Sequence, residues 1–116
     1  MKIKYLPLML LPTLISCDEN NEYVDVIISN GKLQCQDNAI PLAVTKSYLT
    51  EAGIDVESES CGIQLGISVV TVCGGPTEQI HIFSINVNDL IIAENIGFTD
   101  SSMLEAGYQK EACDSI

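Results

Sequence analysis

Apolar residues recur along this chain with two distinct periods, and those periods divide it into short segments. Tyr23 to Ser29 is rich in Val and Ile and predicts a strand. Asn30-Gly31 is the strongest short hairpin signal, and Lys32 to Gln36 sets Leu33 and Cys35 between polar neighbours, so a β-hairpin over 23–36 is expected. Leu42, Tyr48, Leu49 and Ala52 then fall at helical spacing until Gly53. This predicts a helix over about 40–52, capped by Asp37 or Asn38 with Pro41 in its first turn. Ile54 and Val56 alternate with Asp55, Glu57 and Glu59, the pattern of a strand with its carboxylates on one face. Ile67 to Cys73 and Gln79 to Ile85 carry apolar residues on both faces and read as central strands, with Gly74-Gly75-Pro76-Thr77-Glu78 as the loop between them. Asn86 is placed to cap a second helix, with Asp89 in the capping-box position. Val87, Leu90, Ile91 and Phe98 mark the buried side of that helix around a stop at Gly97. A helical turn is expected near Met103 to Ala106, and Glu51-Ala52-Gly53-Ile54 returns as Glu105-Ala106-Gly107-Tyr108, which reads as two similar helix ends.

The resulting order, ββαβββα, predicts an α+β fold: a small two-layer sandwich of about five mainly antiparallel strands with two helices on one face. The chain has 116 residues, enough for one domain, expected over 23–116. A domain of this size buries roughly two thirds of its unfolded surface, so covalent staples would add materially to its stability.

The first 22 residues have a different character. Lys2 and Lys4 make a cationic start, Tyr5 to Ile15 is mostly apolar, and Ser16 is a small residue just before Cys17. The apolar run contains Pro7 and Pro12 and falls well short of the ~20 residues that a transmembrane helix needs, so it reads as a signal peptide over 1–16. Leu14-Ile15-Ser16-Cys17 resembles the lipobox of bacterial lipoproteins. The resemblance covers the leader alone and implies cleavage before Cys17, which would carry a thioether-linked diacylglycerol and an N-acyl chain, enough for stable anchoring. Residues 17–22 would then be a lipidated acidic tether. The implied location is the cell envelope, membrane-bound through the N-terminal lipid and facing the periplasm, with Asp18 tilting the address towards the inner membrane.

Charge narrows the range of partners. Sixteen Asp and Glu stand against five Lys and no Arg. Two of the lysines lie in the leader, so without residues 1–16 the net charge is 3 − 16 = −13. With no basic stripe to neutralise phosphates, nucleic acid and anionic headgroups are poor partners. A neutral or cationic envelope protein fits better. Beyond Cys17, the chain has Cys35, Cys61, Cys73 and Cys113, an even number that reads as two disulfides in an oxidising compartment. Three pairings are open and the sequence does not choose among them; the expectation carried forward is Cys61 with Cys73 and Cys35 with Cys113. Each bridge should contribute about 2–4 kcal/mol.

Catalytic chemistry finds little purchase. His81 is the one histidine, set between Ile80 and Ile82 in a predicted strand, where a structural role outweighs an acid–base or metal-binding one. No G-x-S-x-G motif accompanies it. The cysteine spacings match neither a C-x-x-C redox pair nor a zinc or haem motif, so no cofactor and no metal is expected. Asp55, Glu57 and Glu59 keep calcium open, with a solvated strand face as the plainer explanation. Paired carboxylates for glycan hydrolysis are equally unselected. Cys73-Gly74-Gly75-Pro76 is the most unusual string, and Gly74, Gly75 and Pro76 are a candidate binding loop or a plain tight turn. The expected function is a non-enzymatic, lipid-anchored binding or interaction module of the envelope. The alternatives are an acidic inhibitor or immunity protein for a basic exported enzyme, and a small envelope hydrolase.

Overall fold

The computed structural model describes residues 22–115. The leader, Cys17 and all but the last residue of the tether lie outside them. The described chain is α+β, with five strands in one antiparallel sheet and two helices. In order these are β1 (Tyr23–Ser29), α1 (Leu42–Glu51), β2 (Val56–Gln64), β3 (Gln79–Asn86), α2 (Leu90–Asn95), β4 (Thr99–Asp100) and β5 (Tyr108–Glu111). The sheet runs β4-β1-β3-β2-β5. The expected small sandwich is therefore present, though its strands are not all the expected ones.

β3 holds the centre because both its faces are apolar. Phe83 and Ile85 point to one side and Ile80 and Ile82 to the other, all nearly inaccessible to solvent. The first side packs with Val26, Leu49, Ile54, Ala93 and Phe98 into the main core, under both helices. Phe83 meets Phe98 edge to face, with ring centroids 6.0 Å apart. The second side is a smaller cluster of Ile27, Ile80 and Ile82, closed by Leu104 and Tyr108. This cover follows from topology: β4 and β5 lie on opposite edges of the sheet, so the segment 101–107 that joins them crosses the face away from the helices. The Tyr108 hydroxyl completes the crossing by donating to the Asp25 carboxylate on β1.

Both helices end in the same way, and each end places a core residue. Gly53 N–H bonds to Thr50 O and Ile54 N–H to Leu49 O, while Gly97 N–H bonds to Glu94 O and Phe98 N–H to Ala93 O. The two glycines take φ of +84° and +110°, the left-handed conformation that this ending requires. Ile54 and Phe98 are thereby turned straight into the core. Asn86 accepts from Asn88 N–H as expected of a cap, but the first turn, Val87–Asp89, is a 3-10 turn.

Five expectations change. The hairpin over 23–36 does not form: Asn30 is buried, its side chain bonding to Gln79 and to Lys32 N–H, and this ties the end of β1 to β3. Leu33 keeps one bridge, to Pro76. Ile67 to Cys73 is not a strand, because β5 takes the free edge of β2. α1 starts at Leu42 with Pro41 as an extended N-cap, and Asn38 instead bonds to Leu33 N–H and Gly31 O. The turn near the C-terminal side lies at Ser101–Met103, and Glu105-Ala106-Gly107-Tyr108 is a loop entering β5, not a helix end. Finally, the disulfides join Cys35 with Cys73 and Cys61 with Cys113, each at a Cα separation of 5.0 Å, in place of the expected set. Cys61 lies within the sheet opposite His81, while Cys73 belongs to a loop beyond the end of β2, so these two do not meet.

Candidate functional site

His81 lies on β3 directly opposite Cys61 and is buried against α1. Its Nδ1 is 2.8 Å from Thr45 Oγ1, which also lies 3.1 Å from Leu42 O, so the hydroxyl joins the ring to the first turn of α1. Burial holds the imidazole below its ordinary pKa of 6.5. The ring also packs edge-on to Phe83, with centroids 6.4 Å apart. Its observed role is to fasten α1 to the central strand.

The three carboxylates of the predicted acidic face are separated. A register shift between Val56 and Ser58 interrupts the alternation at Glu57. Glu59 faces α1 and pairs with Lys46 at 2.9 Å, a half-exposed ion pair worth little by itself. Asp55 and Glu57 instead border a cleft of about 420 Å³ with Tyr23, Asn86, Asn88 and Asp89. The cleft forms where β1 and β2 begin and β3 ends, so chain entry and the start of the second helical segment supply its walls. Tyr23, Asn88 and Asp89 carried no sequence signal for this grouping, since only the sheet register brings them to Asp55. No group of His, Cys, Asp or Glu suited to a metal ion occurs among the described residues.

The opposite end of the sheet carries the loop 65–78 and the exposed disulfide Cys35–Cys73. Gly74 supplies a positive φ of +87° in a turn closed by Gly75 N–H to Val72 O. Gly74, Gly75 and Pro76 thus serve the turn geometry directly. The residue that organises this loop is Gln34. Its Nε2 donates to Val70 O at 2.6 Å and Pro76 O at 2.9 Å, and its Oε1 accepts from Val72 N–H at 3.0 Å. Its own backbone bonds to Gly74 and Gly75 as well. Next to it Cys35 sits at φ +66°, a left-handed conformation that is costly for a non-glycine residue. Held by these contacts, the loop still leaves Ile67, Val70 and Val72 44%, 74% and 51% exposed.

Compared with known proteins, the chain matches no family, no curated protein and no solved structure. The two ends of the sheet are unlike, an acidic cleft at one and a pinned apolar loop at the other.

Proposed function

We propose that the protein is a lipid-anchored module of the bacterial envelope, tethered through Cys17 and facing the periplasm, that acts by binding a neutral or cationic partner. One observation carries the reading: a disulfide and the Gln34 amide hold apolar side chains outward at the end of the sheet opposite the one where the chain enters at Tyr23. Holding a loop in place before binding removes much of the entropy loss that recognition would otherwise incur. The arrangement suits a tether, because that end points away from the segment leading to the anchor. Acid–base catalysis through His81 is less well supported, since its Nδ1 is committed to Thr45 in the interior.

A narrower version, an inhibitor of a basic exported enzyme, draws support from the carboxylates of Asp55, Glu57 and Asp89 around the cleft. It requires binding that weakens steeply with salt. Crosslinking in intact cells, followed by recovery of the membrane-extracted protein, tests the general reading. One reproducible protein partner is the expected result. Turnover of an envelope substrate that is lost in His81→Ala at unchanged stability would replace it with the hydrolase reading. Intact mass of the same extract tests the anchor: the chain should begin at an acylated Cys17, with no thiol reacting before reduction.

A further inference from the structure

The segment Ile67-Ser68-Val69-Val70-Thr71-Val72 runs without helix, turn or bend and lies outside every strand of the sheet. Within it, Val70 O and Val72 N–H bond to the Gln34 side chain and Val72 O accepts from Gly75. The backbone groups of Ile67, Ser68, Val69 and Thr71 have no hydrogen-bond partner among the described residues. The sequence is uncharged, free of proline and mostly β-branched, the composition of a strand. Globular proteins usually cover or blunt such an edge; here β5 occupies the edge of β2 that this segment could have joined, and the segment stays exposed. Its position is nonetheless fixed, by Cys35–Cys73 on one side and the Gln34 amide along it.

We infer that residues 67–72 are an edge for strand addition, taking an extended segment of a basic protein as an extra β-strand. Main-chain hydrogen bonds would supply affinity and the exposed Val70 and Val72 would supply apolar contact. Charge selects the partner: 16 acidic residues against five lysines repel a second copy of the chain, and Glu105 lines the same small cavity as Ile67 at the start of the segment. The same acidity disfavours anionic lipid as the occupant. This inference rests on the binding-module reading and assigns that module its contact surface.

The test uses the full-length protein in its own cells, carrying a photoreactive benzoylphenylalanine at Thr71, at Ile91 on the outer side of α2, or at Tyr23 beside the cleft. An adduct from Thr71 with one basic protein, at least tenfold stronger than from the other two positions, is expected. With the probe at Thr71, Val69→Pro, which removes a main-chain donor from the edge turned away from Gln34, should lower the adduct at least tenfold. If Val69→Pro fails to form its two disulfides, Val70→Lys and Val70→Thr replace it; the lysine should lose the adduct and the threonine keep it. A partner captured from Ile91 or Tyr23 but not from Thr71 overturns the edge while leaving the binding reading in place. No adduct from any position overturns both. A dimer of this chain, or a lipid adduct, from Thr71 also overturns the inference.

Discussion

Two stretches of this chain have nearly the same strand-like composition and opposite fates. Gln79–Asn86 is the central strand, with Ile80, Ile82, Phe83 and Ile85 buried, whereas Ile67–Val72 lies on the surface without a place in the sheet. Intrinsic preference does not separate them, since both are rich in β-branched residues. What separates them is the supply of partners. β3 is flanked by β1 and β2 over nearly its whole length, and its large side chains on both faces meet the helices on one side and Leu104 on the other. Residues 67–72 follow directly on β2, whose free edge is claimed by β5. A strand is therefore a property of the vacancy it fills as much as of its sequence.

Substitutions can sharpen or break this contrast. Phe83→Ala empties the centre of the main core and should cost about 3–5 kcal/mol, read as a fall in the urea midpoint at constant slope. Replacing Cys35 and Cys73 with Ser opens a loop with a sequence separation of 38 and should cost about 2–4 kcal/mol. Hydrogen exchange would then show the amides of Val72, Gly74 and Gly75 losing protection well before 79–86; simultaneous loss would mean that the two stretches are one cooperative unit. Acid should weaken the buried stretch through His81. Its pKa is lowered in the fold, so between that value and 6.5 the unfolded chain binds more protons, and stability falls as pH drops from 7 through that window. His81→Gln should flatten the slope between pH 7 and 5.5, and an unchanged slope would locate the proton uptake elsewhere. Smallest of all, Val70→Ser should shift stability by under about 0.5 kcal/mol, because its side chain already faces water.

The same contrast explains how much could be read beforehand. β1, β3, α1 with its stop at Gly53, the Asn86 cap and the Gly97 stop were legible because each is decided by local chemistry. The second hairpin strand and the 67–73 strand were misread because their patterns are real but no edge was open to them. β5 was missed for the converse reason: Tyr-Gln-Lys-Glu has no apolar alternation and is a strand only because β2 offers it backbone partners. Of the site residues, Asp55 and Glu57 were visible as carboxylates, whereas Glu59 was lost to Lys46 through a bulge that no periodicity announces. Gln34 gave no signal at all, since its role consists of hydrogen bonds to residues 36 to 42 positions further along.

The cysteine pairing bears on how the molecule matures. In an unfolded chain, loop-closure entropy makes close neighbours in sequence meet most often, so Cys61 encounters Cys73, and Cys35 encounters Cys61, more readily than either finds its native mate. The native bonds span separations of 38 and 52 residues and become the favoured ones only once β1 and β2 have docked on β3. Oxidation ahead of sheet assembly would trap mispaired forms, and recovering from them requires thiol–disulfide exchange. A catalyst of disulfide reshuffling should therefore speed the maturation of this small domain.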